Sequence, residues 1–138
     1  MPERSKVVVV GVDGSADGTA AVKWADSYAS LSGATVRLVA AWTWPTAYAA
    51  VIAYDGFTPE ADARAILEKA QAELTVPDAR IESICREGPA GPALVAASDD
   101  AELLVLGCHG HGPITGMLLG SVTNYCVHHA SCSVVIVR

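Results

Sequence analysis

Five glycines fall within the fifteen residues GCHGHGPITGMLLGS, which run from Gly107 to Ser121. The stretch follows the apolar segment LLVL and contains no lysine or arginine. Glycines after a strand let backbone N–H groups curl around an anion, and a helix N-terminus adds free N–H donors and a positive dipole end. The spacing Gly107-x2-Gly110-x9-Gly120-Ser121 therefore predicts a phosphate site in two halves, joined by the segment between them.

A second turn, GVDGS at residues 11–15, ends the β-branched run Val7–Val12. Asp13 places a carboxylate at the end of this strand, and Ser15 is suited to cap a helix that has Asp17 in its first turn. Neither turn contains the GxxxxGK[ST] of a P-loop or the GxGxxG of a dinucleotide fingerprint. Backbone amides, rather than a lysine, would have to hold the phosphates.

Alternating elements position these two turns. Strands are predicted at 7–12, 35–42, 80–86, 102–107 and 133–137, with helices at 16–32, 58–74, 89–98 and 121–129. The order βαβαβαβαβ indicates an α/β fold, a doubly wound five-stranded parallel sheet of order 3-2-1-4-5 with helices on both faces. The two turns then follow neighbouring strands at the topological switch point, where such sheets bind ligands. We expect residues 1–138 to form a single domain.

The composition limits the classes of partner. Hydrophobic residues make up 51% of the chain, charged residues 17%, and the formal net charge is −6. No lysine or arginine lies between Glu87 and Arg138. This acidic balance argues against nucleic acid or an anionic membrane as a partner, and no apolar run reaches the roughly 18 residues that cross a bilayer. The first apolar run is too short for a signal peptide, so we expect a cytoplasmic location.

On these motifs the chain resembles the universal stress protein family, specifically its ATP-binding branch. The resemblance covers nearly the whole chain and rests on VVVVGVDGS, REGPAGPALV, LLVLGCHGHG, LGSV and CSVVIVR. It implies a regulatory protein of stress or dormancy physiology that binds ATP at the switch point. It also implies a homodimer formed through the C-terminal strand 133–137, which would lie at a sheet edge where pairing with its copy gives a twofold dimer.

The resemblance also assigns residues to parts of the nucleotide. It places adenine and ribose near Val12, Asp13, Ala40, Leu106 and Gly107, with Gly88 and Pro89 at the border of the pocket. It places the phosphates near Gly107, Gly110, Gly120, Ser121 and Val122. His109 stands where family members often carry the arginine of GSRGHG, so a ring whose charge depends on protonation replaces a permanent cation. We expect affinity to depend on pH and on a divalent cation such as Mg²⁺, which would supply the missing charge.

Several alternatives stay open. The glycines could serve only a tight turn, and Asp13 only a turn or cap. His109 and His111 form an i, i+2 pair without a carboxylate cluster, which does not indicate a metal site. The aromatic segment 42–57 could cover an adenine or contact a partner protein.

Signals for catalysis are weak. The sequence contains no GxSxG elbow, no HExxH, and no Ser/Cys–His–Asp set that the strand order would assemble. Asp13 is the only carboxylate expected near the phosphates, so at most slow ATP hydrolysis is predicted. Beside the ATP-binding regulator, two hypotheses therefore remain: a slow ATPase on the same site, and a nucleotide-independent interaction module that uses the aromatic segment.

Overall fold

A computed structural model describes residues 6–44, 58–109 and 119–138. The strands in these ranges are β1 (Val7–Gly11), β2 (Thr35–Trp42), β3 (Ile81–Glu87), β4 (Leu103–Gly107) and β5 (Ser133–Val137). The α-helices are α1 (Ala16–Ser32), α2 (Pro59–Ala72), α3 (Ala90–Ala97) and α4 (Ser121–His129). All pairings between the described strands are parallel, and the sheet order is β3-β2-β1-β4-β5. The predicted fold class and strand order are confirmed.

The central strand β1 is buried on both faces, as a continuous β-branched run predicts. Val8, Val9 and Val10 have no exposed surface. Val8 pairs with Val36 of β2 on one side and with Leu103 of β4 on the other. Because β1 and β4 are parallel neighbours, the turns that follow them leave the same edge of the sheet.

Helices cover both faces of this sheet. On one face, Ala21 and Ala25 of α1 pack with Val8 in a core that also contains Leu67 of α2. On the other face, Leu94 of α3 and Cys126 of α4 pack with Val9 and Leu104. None of the helices in the described residues is long and apolar enough to cross a membrane.

Local residues set the ends of α1. The Ser15 hydroxyl caps the helix by accepting a hydrogen bond from the Gly18 N–H at 3.1 Å. Gly33 ends the helix in the left-handed region, with φ 79°. Both ends agree with the sequence pattern, in which an N-cap serine and a C-terminal glycine bracket the helix.

The third strand begins one residue later than predicted. Arg80 belongs to a short 3₁₀ turn, Asp78–Arg80, and its N–H donates to the Pro77 carbonyl at 2.8 Å. The strand therefore starts at Ile81, because Arg80 is held in the turn.

Candidate functional site

A cavity of about 400 Å³ lies beside the carboxyl ends of β1 and β4. Its size falls within the range of about 300–1,000 Å³ that is typical of small-molecule sites. The lining residues are Gly11, Val12, Asp13, Ser15, Gly18, Val39, Ala41, Ala90, Leu94, Leu106, Gly107, His109, Gly120, Ser121, Val122 and Thr123.

One part of the cavity wall is apolar. Val39, Leu94 and Leu106 line it and are at most 4% exposed. Gly11 is pressed against the same side chains, because a β-carbon there would lie 2.8 Å from Leu106 Cδ2 and 3.0 Å from Leu94 Cδ1. This part of the cavity can hold a flat apolar group, such as a nucleobase.

The residues proposed from the sequence are only partly gathered around this cavity. Those that line it are Val12, Asp13, Leu106, Gly107, His109, Gly120, Ser121 and Val122. Among the described residues, Ala40, Gly88 and Pro89 are not part of the lining. Gly110 and His111 lie outside the described residues, as does most of the aromatic segment 42–57.

The position of Ala40 follows from the alternation of side chains along a strand. Ala40 is 2% exposed and packs with Val8 and Val10 in the core on one face of the sheet. Its neighbours Val39 and Ala41 line the cavity instead. The contact that the family resemblance implied for Ala40 is thus available to the residues on either side of it.

Gly88 and Pro89 connect β3 to α3. The Gly88 N–H donates to the Trp42 carbonyl at 2.8 Å, and its φ of 127° favours glycine. Pro89 is the N-cap residue of α3. In the described structure both residues therefore have a role in the turn, while Ala90, the first residue of α3, reaches the cavity.

Asp13 and Ser15 form a hydrogen-bonded turn at the cavity. Asp13 Oδ1 accepts from the Ser15 N–H at 2.9 Å and from the Ser15 hydroxyl at 2.6 Å. Since the Ser15 hydroxyl also caps α1 at Gly18, the Asp13 carboxylate is held in place by the start of that helix. The expected cap by Ser15 is confirmed, and Asp13 remains exposed at the mouth of the cavity.

The two halves of the glycine pattern are in direct contact. The Gly120 N–H donates to the Cys108 carbonyl at 3.0 Å. The Thr123 hydroxyl donates to the Gly107 carbonyl at 2.8 Å, and Thr123 is 4% exposed. Thr123 was not predicted from the sequence, although its place three residues after Gly120 puts it in the first turn of the helix that follows.

The N-terminus of α4 opens into this cavity. Gly120 is its N-cap residue, and no side chain among the described residues caps it. The first N–H groups of an α-helix have no partner within the helix, so those of Ser121 and Val122 are available to an anion. At the start of α1, by contrast, the third amide, that of Gly18, donates to the Ser15 hydroxyl.

A second carboxylate, that of Asp17, contacts the lining residue His109, although among the described residues Asp13 is the only acidic one in the lining itself. Asp17 Oδ2 accepts from the His109 N–H at 3.0 Å and lies 3.3 Å from His109 Nδ1. The first turn of α1 reaches the end of β4 because Gly107 has no side chain: a β-carbon there would lie 2.7 Å from the Asp17 backbone.

The charges around the cavity are few. Among the described residues, no lysine or arginine lines it, and His109 is the only basic side chain that does. In the described ranges no group of three or more His, Cys, Asp or Glu residues could hold a metal ion. Binding of a phosphate must therefore rest mainly on backbone N–H groups, hydroxyls and any cation that accompanies the ligand.

Comparisons with known proteins agree with this architecture. The model of the universal stress protein family matches residues 4–138. A universal stress protein of Mycolicibacterium smegmatis is 34% identical over 148 residues, a match that covers 95% of this chain and 47% of that protein. The chain thus spans about half of the length of this relative.

Solved structures give the same result. The universal stress protein UspA from Lactobacillus plantarum has a TM-score of 0.80 at 23% identity, over 99% of this chain and all of that chain, which shows the shared fold. A universal stress protein solved in complex with cAMP has a TM-score of 0.71 at 32% identity, over 99% of each chain. The chain belongs to the universal stress protein family.

Proposed function

We propose that this chain is a regulatory protein that binds an adenine nucleotide, with ATP as the physiological ligand. The observation that carries the proposal is a cavity with an apolar wall at Val39, Leu94 and Leu106 that also meets the uncapped N-terminus of α4. The apolar wall suits a nucleobase, and the uncapped helix N-terminus suits phosphates. The cAMP complex of a relative at 32% identity supports an adenine nucleotide as the class of ligand.

The fit assigns each part of the nucleotide to a part of the cavity. Adenine would pack against the apolar wall, and the ribose would lie between that wall and Asp13. The phosphates would lie near Gly107 and receive N–H bonds from Ser121 and Val122, where the dipole of α4 adds a favourable field. Gly110 keeps its predicted phosphate role as part of the same proposal.

Magnesium would enter with the phosphates rather than occupy a site of its own. Mg²⁺ is commonly bound by one or two carboxylates together with phosphate oxygens and waters. Asp13 and the Ser121 hydroxyl both line the cavity, so they are the protein groups that could complete such a shell.

The regulatory part of the proposal rests on the family. Nucleotide occupancy would alter partner binding or the dimer during stress or dormancy, in the cytoplasm. The dimer would form through β5, which among the described strands pairs only with β4 and carries Ile136 at 36% exposure. A strand edge of this kind can pair with a second copy.

Titration calorimetry with ATP, AMP and cAMP, each with and without Mg²⁺, tests the proposed ligand class. The wild type should bind, and Ala41→Phe should lose most of its affinity because the new ring fills the apolar part of the cavity. The matched control is Ala72→Phe at an exposed position of α2, which should bind like the wild type. A wild type that binds none of the three nucleotides, or an Ala41→Phe variant that binds normally, would contradict the proposal.

A slow ATPase on the same site is the second candidate. The observation that favours it is that Asp13 and His109 line the cavity and that His109 contacts the Asp17 carboxylate, since carboxylates and an imidazole can position an attacking water. Single-turnover hydrolysis should then be slower in Asp13→Ala than in the wild type. A rate at background in both proteins would remove this candidate and leave the regulatory one.

A further inference from the structure

We infer that Asp17 is a specificity-determining residue of the nucleotide site. It would compete with phosphate for the His109 N–H and disfavour ligands of high negative charge unless a divalent cation accompanies them. The inference rests on the proposed function, because it concerns which adenine nucleotides the cavity prefers.

Asp17 is not itself a lining residue, but its carboxylate occupies the backbone N–H of His109, which does line the cavity and is a donor that a phosphate oxygen could otherwise use. One carboxylate oxygen, Oδ2, contacts both the backbone N–H and the ring Nδ1 of His109, at 3.0 and 3.3 Å. His109 lines the cavity directly after the strand that ends at Gly107. The backbone donor of this strand-end turn is therefore already satisfied by an anion of the protein.

The backbone of Asp17 is fixed in this position. It lies in the first turn of α1, whose N-terminus is fixed by the Ser15 cap. Its backbone also lies against Gly107, so closely that a β-carbon on that glycine would overlap with it. A ligand that needs the His109 N–H must displace only the Asp17 side chain, because the backbone around it is fixed.

The charge of Asp17 makes the electrostatic potential around His109 more negative whichever form the His109 ring takes. If the ring is protonated, Asp17 neutralises the only basic side chain in the described lining; if it is neutral, Asp17 leaves a net negative charge. The two side chains are 32% and 25% exposed, so water screens this charge only in part.

The consequence grows with the charge of the ligand. ATP carries more negative charge than AMP because it has more phosphate groups, and AMP carries more than cAMP because a phosphate monoester can lose one more proton than a cyclic diester. Repulsion by Asp17 should therefore weaken the binding of ATP most and the binding of cAMP least. Mg²⁺ offsets phosphate charge, so it should restore ATP binding more than cAMP binding.

The test is the ratio of the dissociation constants for ATP and cAMP, measured without Mg²⁺ by calorimetry. Asp17→Asn keeps the size of the side chain and an oxygen that can accept from the His109 N–H, but it removes the charge. The ratio should fall by roughly threefold to tenfold. Added Mg²⁺ should also improve ATP binding less in the variant than in the wild type.

Two further variants serve as controls. Asp62→Asn removes a carboxylate from the first turn of α2 in the same way, at an exposed position, and should leave the ratio at the wild-type value. Asp17→Glu keeps the charge and should also keep the ratio close to wild type. Because a ratio is compared, a uniform loss of active protein does not change the outcome.

The inference is overturned if Asp17→Asn leaves the ratio unchanged. This includes the case in which the variant weakens the binding of ATP and of cAMP by the same factor, since Asp17 would then act only as a support for the turn. A wild type that binds no adenine nucleotide gives a different result: it overturns the proposed function itself.

Discussion

A β-carbon on Gly107 would lie 2.7 Å from the carbonyl carbon of Asp17 and 2.8 Å from its carbonyl oxygen. Gly107 is not among the described glycines with positive φ, so its backbone conformation does not require glycine. The close approach of α1 to the end of β4 does require it. This contact brings Asp17 to His109, at the end of the cavity that is proposed to hold the phosphates.

Gly107→Ala should therefore destabilise the protein. The added methyl group meets backbone rather than a flexible side chain, so α1 must shift, at a cost of about 1–3 kcal/mol. Urea unfolding measures the free energy of unfolding, and nucleotide titration of the same variant should show weaker binding. A variant with wild-type stability and affinity would mean that α1 does not pack on Gly107 as described.

Thr123→Val should weaken the link between the two halves of the glycine pattern. The variant removes the hydroxyl that donates to the Gly107 carbonyl at 2.8 Å and leaves that carbonyl without this partner, at a cost of about 1–3 kcal/mol. Thr123→Ser keeps the donor and is the matched control. Urea unfolding should show a larger loss for valine than for serine, and an equal loss would contradict the role given to this bond.

The sequence predicted the fold well because its patterns are local. The β-branched run at Val7–Gly11 and the serine and glycine around α1 each specify one element, and the order of the elements leaves few topologies. Gly120 and Ser121 were placed at a helix N-terminus for the same reason.

Contacts between distant segments could not be predicted in this way. The Asp17–His109 pair joins residues 92 positions apart, and nothing in the local sequence around Asp17 distinguishes it from an ordinary first-turn acid. On β2, Thr35 and Arg37 alternate with the buried Val36 and Leu38. Continuing this alternation puts Ala40 on the face of Val36 and Leu38, and Val39 and Ala41 on the other face, a signal that the assignment of Ala40 to the nucleotide did not use.

Alkaline pH should destabilise the fold through Cys126. Burial, together with the charge of Cys132, raises the pKa of the Cys126 thiol from 9.0 to about 11. The unfolded chain therefore releases this proton first, and stability falls as pH rises from 9 to about 11, by up to roughly 3 kcal/mol. In chemical unfolding, Cys126→Ala should show a shallower decline over this window, whereas an identical slope would contradict the shifted thiol.

Ile136→Lys should dissociate the proposed homodimer. A charge on the exposed strand β5 opposes edge-to-edge pairing, so sedimentation velocity at micromolar concentration should show a dimer for the wild type and a monomer for the variant. Leu31→Lys, at a residue that is 91% exposed at the end of α1, is the control and should remain dimeric. A monomeric wild type would remove the dimer from the proposal.

NMR titration of the ¹⁵N- and methyl-labelled protein shows whether an adenine nucleotide occupies the cavity between β1, β4 and α4. ATP with Mg²⁺ should shift the amide signals of Gly107, Ser121 and Val122 together with the methyl signals of Val39 and Leu106. Signals that do not move, or that move only on surfaces away from these residues, would contradict it.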